Sequence, residues 1–329
     1  MSQPSPRHTG LQSLRGLACL MLVLYHVVGA DAGRGLRLDD GPIRLFVDAL
    51  AAVRMPLFAL IAGALYGWRP KSGGAALADK FHRLMVPALT VGTLFALTQA
   101  LVPGTNRPVT DWHLLHIVPV AHFWFLQSLF LVFVLVMGLE RLGWLNRPGP
   151  LAAVFATAAA AYLSHPGFIW FGVAGAVYLL PYFLAGMVLT RHGLQRRLDR
   201  PWMPALLVAV GSGVLALWAP PAPEQDRYTA AMLGAGLLLA TALWLRPPRA
   251  GWLTRIGDDS YAIFLYHAFF TAAARIVLLR LGVTELVPQL VLGLVAGIVG
   301  PMLLQQALMR LPRLQGLRGP LLGLPAARA

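Results

Sequence analysis

A chain of 329 residues that is 57% hydrophobic and only 12% charged, with a mean hydropathy of +0.66, carries too much apolar surface for a water-soluble domain, in which the apolar share runs to about 45–50%. It reads as a membrane protein. A net charge of +14 raises nucleic acid as a partner, but the basic residues gather in short loops between apolar segments, which is the pattern of membrane orientation rather than of a nucleic-acid face.

Ten apolar segments follow one another, over 12–30, 45–67, 84–102, 120–138, 150–164, 168–190, 203–219, 228–246, 259–280 and 285–309. Most are long enough for a hydrocarbon core of roughly 30 Å. The segment 150–164 is the shortest and could tilt or fold back instead of crossing. The predicted fold is therefore all-α, a polytopic membrane helical bundle of about ten transmembrane helices. The loops 67–83, 140–150, 190–202 and 245–259 are short and basic, so the positive-inside bias puts them, and both termini, in the cytoplasm.

One integral-membrane domain is expected over 1–329, with a short cytoplasmic tail at 1–11, another at 311–329, and no appended soluble domain. The opening "MSQPSPRHTG" lacks the small-residue cleavage site of a signal peptide. The single cysteine, Cys19, excludes an intramolecular disulfide and a cysteine metal cluster. There is no glycine-rich phosphate loop and no His-x-x-x-His or Cys-x-x-Cys pair, so neither a nucleotide-driven pump nor a common zinc site is expected, and no metal is assigned.

Ionisable groups inside apolar segments cost roughly 2.5–3.5 kcal/mol each on insertion scales, which makes each a functional hypothesis. In "LRGLACLMLVLYHVV" Arg15 and His26 are eleven residues apart. That spacing returns them to one stripe of a helix and separates them by about 16.5 Å. Read as structure alone, Arg15 snorkels to the interface and His26 bonds a neighbouring helix. The second segment holds Arg54 beside Met55 and Pro56, with Ala62, Gly63 and Ala64 following, so Arg54 faces protein or a wet cavity. The next loop carries Arg69, Lys71, Lys80 and Arg83. Lys80 and Arg83, three apart on a helix start, share a face suited to phosphate, although plain anchoring charge has the same appearance. Near the other end "GDDSYAIFLYH" places His267 seven residues after Ser260, on the same face, flanked by Tyr261 and Tyr266.

These stretches, "SLRGLACLMLVLYH", "MPLFALIAG", "KFHRLMVP", "HFWFL" and "GDDSYAIFLYH", taken in order, resemble the acyltransferase 3 family of integral-membrane acyltransferases. The resemblance implies a bacterial inner-membrane (cytoplasmic-membrane), multi-pass enzyme that takes an acyl group, often acetyl, from cytoplasmic acyl-CoA. The group goes to a hydroxyl of a carbohydrate, glycan or glycolipid of the cell envelope. It further implies Arg15 and His26 as the essential pair and the basic pair opening the third helix as part of the donor site. On that reading Arg69, Lys80 and Arg83 bind acyl-CoA, while Arg54, Trp124, Ser260, Tyr261 and His267 line the tunnel or the acceptor site. Acyl-CoA is the donor substrate and no cofactor is held tightly. Partners are the acceptor, the lipid bilayer and either further copies of the chain or envelope-biosynthesis proteins, with no nucleic acid.

Two features depart from the family pattern. A Ser-Gly pair in the second helix is Ala62-Gly63 here, and an Arg-x-x-Arg is Lys80-Phe81-His82-Arg83, which replaces a planar fork by a point charge. His26 is expected to act as general base or as transient acyl carrier. A carboxylate fixing its tautomer is expected by analogy with other histidine bases. The apolar segments offer almost none: Asp48 lies near the outer end of the second, and Asp258 and Asp259 sit at the inner edge of the ninth. A transporter or flippase of envelope precursors, using the same groups as an ion or substrate path, is the alternative; a structural membrane subunit is the third.

Overall fold

The structure, a computed structural model, describes residues 6–30, 34–103, 111–164, 167–168, 170–194, 198, 200–218, 225–248 and 250–324. Among them there is no β-strand, only an isolated bridge between Leu115 and Val118. The helices are α1 (Pro6–Val28), α2 (Pro42–Trp68), α3 (Gly74–Lys80), α4 (Val86–Leu101), α5 (Trp124–Arg141) and α6 (Pro148–Leu163). They continue with α7 (Val173–Arg191), α8 (Met203–Trp218), α9 (Gln225–Leu245), α10 (Gly251–Asp258), α11 (Ser260–Arg280), α12 (Leu286–Arg310) and the short α13 (Arg318–Leu322).

Each of the ten apolar segments is helical. Seven stretches have the length and apolarity to cross a membrane: Thr9–Val28, Pro42–Trp68, Gly74–Leu101, Ala121–Arg141, Trp170–Arg191, Ser260–Arg280 and Leu286–Arg310. Within α6, α8 and α9 the apolar stretches are shorter, at Pro148–Leu163, Met203–Val214 and Thr229–Leu245.

The third long stretch is not a regular α-helix. Between α3 and α4 the residues Phe81–Met85 form a π turn, closed by the Val86 N–H on the Phe81 carbonyl. Pro87 explains it. A proline has no N–H to offer the carbonyl four residues back, and its ring collides with that carbonyl in α geometry, so the turn widens.

The chain separates into two compact units, Met1–Ile61 with Leu189–Leu303 and Ala62–Val188 with Leu304–Ala329. In the first, Cys19, Val23 and Val27 form a buried stripe of α1 that packs with Ile256 and Ile263, and Phe58, Leu290, Leu294 and Ile298 close over it. The four-residue spacing is one face of the helix. Small residues let α1 and α10 approach to backbone contact. A Cβ on Gly257 would lie 1.9 Å from the Gln12 carbonyl oxygen and one on Gly16 2.1 Å from that of Leu253.

In the second unit Phe123, Leu126, Leu179, Phe183 and Leu184 are fully buried. There α2 passes α7 so closely that a Cβ on Gly63 would lie 1.9 Å from the Phe183 carbonyl oxygen. The glycine of Ala62-Gly63 is therefore a packing requirement. α13 lies along α4, with the Thr90 hydroxyl donating to the Pro320 carbonyl.

Candidate active site

In the first unit α1 is unbroken from Pro6 to Val28, so Arg15 and His26 stand on one stripe about 16.5 Å apart, as expected of eleven helical residues. Both are half-buried. The His26 Nδ1 lies 2.9 Å from the Leu22 carbonyl oxygen. A carbonyl only accepts, so Nδ1 carries the proton and Nε2 carries the lone pair. His267 repeats this on α11. It is fully buried, and its Nδ1 donates to the carbonyls of Ile263 at 2.8 Å and Phe264 at 3.0 Å.

The two rings meet edge to face, with centroids 4.6 Å apart and planes at 69°. Neighbouring contacts lock the helices that present them. The Cys19 thiol points at the Ser260 carbonyl at 3.7 Å, and Gln12 Nε2 donates to Asp258 Oδ1 at 2.7 Å. The expected carboxylate orienter is corrected here, because a main-chain carbonyl one turn back does that work for each ring. Asp48 is engaged by Arg44 and Asp258 by Gln12. Asp259, half-buried just ahead of α11, is pushed above the usual carboxylate range by burial and then by Asp258.

Arg54 joins this group. Its guanidinium carbon lies 3.7 Å from the centroid of the Tyr25 ring, and Tyr25 in turn meets His26 edge to face at 5.4 Å. A guanidinium over an aromatic face is attracted by the ring quadrupole, which seats the charge without a carboxylate. Tyr25 was not among the expected site residues; an aromatic preceding the histidine was the only signal available. Ser260 is buried at the start of α11 and Tyr261 is half-buried beside it.

In the second unit one aromatic ring seats Lys80. The Lys80 ammonium lies 4.1 Å from the Phe133 centroid. Tyr66 packs on the same ring at 6.0 Å, and its hydroxyl donates to the Lys71 carbonyl at 3.2 Å, which fixes the turn after α2 that carries Arg69 and Lys71. Arg69 and Arg83 are exposed. Phe133 thus ties the Arg69–Lys71 turn to Lys80, and a cationic group with exposed members can receive phosphate. Lys71 had been named only as a loop charge.

Trp124 opens α5 in this second unit, its ring 6.5 Å from that of Tyr178. Two buried polar residues close to it were not named as site residues in the sequence reading, although His122 opens the "HFWFL" stretch. His122 packs against Phe123 at 4.3 Å and Phe95 at 5.7 Å. Gln127, one turn beyond Trp124, donates from Nε2 to the His116 carbonyl at 3.1 Å. A lone Gln or His in an apolar run gives no spacing pattern by which to single it out.

Comparison with protein families assigns these features. A family model described as an acyltransferase domain, the acyltransferase 3 model, matches residues 8–306. The chain belongs to the acyltransferase 3 family. With seven helices of membrane-crossing length and composition, it is a membrane acyltransferase. Comparison with curated proteins found no match, and comparison with solved structures found none either.

Proposed function

We propose that the protein moves an acyl group, acetyl in the first instance, from cytoplasmic acyl-CoA to a hydroxyl of a carbohydrate or lipid-linked acceptor of the bacterial envelope. The observation that carries the reading is the edge-to-face pair His26–His267, each with Nδ1 held by backbone carbonyls. Such a tautomer leaves Nε2 as the nitrogen that takes a proton or an acyl group.

In this reading the phosphates of the donor are bound by Lys80, Arg83 and Arg69, with Arg15 at the inner end of α1. A pantetheine arm extends on the order of 15–20 Å, close to the helical rise from Arg15 to His26. His26 Nε2 removes the proton of the acceptor hydroxyl as its oxygen attacks the thioester carbonyl. The C–S bond breaks, the ester forms, and the proton leaves with the thiolate as CoA thiol. In the acyl-imidazole version the acyl group passes through His26 Nε2 with the same balance. Arg54 supplies positive charge to the oxyanion. Ten crossings, both termini in the cytoplasm and residence in the inner membrane complete the proposal, supported by the basic loops.

The test is release of CoA thiol from acetyl-CoA by the purified protein in lipid nanodiscs, with a panel of sugars and glycans, comparing wild type with His26→Ala and Arg15→Ala. Acceptor-dependent release lost in both variants supports the assignment. No release with any acceptor, together with no detectable acyl-CoA binding, favours the transport reading.

A further inference from the structure

Gln127 is 4% exposed. Its amide is fixed in one sense, because Nε2 donates to the His116 carbonyl and the carbonyl accepts only. That leaves Oε1 buried and without a hydrogen-bond partner among the described residues. A buried amide oxygen left so costs about 1–3 kcal/mol, so a donor is expected to complete it in the working protein.

The surrounding backbone is strained at the same place. Arg37, His116, Ala121 and Phe171 are the non-glycine residues with positive φ among those described, and two of the four, His116 and Phe171, are bonded in at this point. His116 supplies the carbonyl that pins Gln127. The Phe171 N–H donates to Ile117 at 2.7 Å, and Ser128, next to Gln127, donates to Gly172 at 2.7 Å. The His116 ring is tied to the Thr93 hydroxyl at 2.9 Å. Each such backbone conformation costs on the order of 1–3 kcal/mol and persists where the surroundings over-determine it, commonly at ligand sites.

The place in the unit narrows the ligand. Beyond the π turn that follows Lys80, α4 rises about 10 Å from Val86 to Thr93, and from Phe133 back to Gln127 α5 rises about 9 Å. Gln127 thus lies toward the end of α5 away from the cationic group that suits phosphate. Trp124 is three residues earlier and on the same face of α5, and a Cβ on Gly175 would lie 2.7 Å from its ring, so the indole is held from one side as a platform. An oxygen that needs an O–H, on the same helix face as an indole, is the chemistry that receives a sugar ring.

We propose that Gln127 Oε1 and Trp124 form an acceptor subsite, in which Gln127 accepts a hydrogen bond from a hydroxyl of the carbohydrate to be acylated. This rests on the acyl-transfer reading and names a positioning contact within it. The amide N–H groups of a pantetheine arm offer the same donor chemistry, and the experiment separates the two.

Wild type and Gln127→Leu in nanodiscs are compared for kinetics of acetyl transfer to methyl glucoside, methyl rhamnoside, methyl N-acetylglucosaminide and dodecyl maltoside, and for saturation-transfer NMR binding of the same four. The expected result is an acceptor KM raised about tenfold in Gln127→Leu, the loss of one hydrogen bond, with the acetyl-CoA KM unchanged. Single-deoxy versions of the best acceptor guard against misfolding of the variant: on wild type, one of them shows the same rise. A rise in the acetyl-CoA KM instead assigns Gln127 to the donor and overturns the proposal, as does no position-specific deoxy effect. If wild type transfers acetyl but Gln127→Leu matches it on every acceptor, only this inference fails. Should wild type release no CoA, the acyl-transfer reading fails, and the proposal falls with it unless a glycoside still binds in a Gln127-dependent way.

Discussion

Gly257 lies ten residues before His267 and far from His26 in sequence, and the packing predicts that Gly257→Ala disables the enzyme. The new Cβ would stand 1.9 Å from the Gln12 carbonyl oxygen, where ordinary contact begins near 3.4 Å. Backbone cannot swing aside as a side chain can, so α10 must back away from α1 by about 1.5 Å, the difference between those distances. α10 ends at Asp258 and α11 starts two residues later, at Ser260, and carries His267 to its contact with His26 at 4.6 Å. Displacements near 1 Å at reacting groups cost on the order of 10²-fold in rate. The expected outcome is a fall of about that size in acceptor-dependent CoA release, with the protein still inserted and extractable. Gly251→Ala is the control on the same helix, because nothing lies within 4 Å of its Cβ, and it should match wild type. Activity of Gly257→Ala within threefold of wild type, at equal folded yield, would refute the claim that α10 sets the histidine pair.

Replacing His26 by Ala should abolish transfer while His267→Ala lowers kcat by about 10²–10⁴-fold, the usual worth of a positioned acid or base; equal kcat in either variant removes that residue from the mechanism. Lys80→Ala should raise the acetyl-CoA KM about tenfold and leave the acceptor KM alone, and added salt should narrow the gap; steady-state kinetics at two salt concentrations decides it. Gly63→Ala should lower the thermal midpoint or the folded yield, given 1.9 Å to the Phe183 carbonyl, whereas Ala62→Ser should be tolerated, read by fluorescence-detected melting. Burial pushes the His116 imidazole below its ordinary value, so the folded state prefers it neutral: the stability it contributes is present above about pH 6.5 and declines as pH falls below that. A melting series from pH 8 to 5 on wild type and His116→Gln should show wild type losing more midpoint on the acid side; parallel curves would remove His116 as the cause.

What could be read in advance depended on whether a residue announced itself by pattern. Arg15 and His26 did, because charge inside an apolar run is rare and eleven residues make a whole number of turns to within about 20°. Most of the helices did too, since each apolar segment falls on a helix, down to α6, but α1 begins at Pro6 rather than 12 and the short α3 and α10 fell in expected loops. Pairing was not legible: that His267 meets His26 edge to face, or that Phe133 ties Lys80 to Tyr66, depends on contacts between helices distant in sequence. The Gly16 and Gly257 contacts were equally hidden, since a glycine in a membrane helix is common and only the neighbour tells which one is needed. The π turn was half-visible through Pro87, whose effect on the preceding turn is local. Gln127 was invisible, because its significance lies in one oxygen left over after the other atom of its amide is bound.

Holding Nδ1 of His26 with a backbone carbonyl rather than with a carboxylate has a physical rationale that also yields a sharper variant. A buried Asp would add to α1 or α11 a charge that costs several kcal/mol to hold out of water. The carbonyl four residues back is already present in every helix, fixes the same tautomer, and adds no charge. Its limit is geometric, since it holds the ring only while the helix stays regular over Leu22–His26 and Ile263–His267. An Asn at position 26 or 267 can keep a donor near the Nδ1 position, so the bond to the i−4 carbonyl survives while Nε2 is lost. His26→Asn should therefore insert and melt like wild type yet release no CoA above background, which separates the chemical role of Nε2 from the structural role of Nδ1–H. If His26→Asn stayed active, the ring nitrogen would not be the acting group, and Arg15 and Arg54 would have to carry the transfer by electrostatics alone.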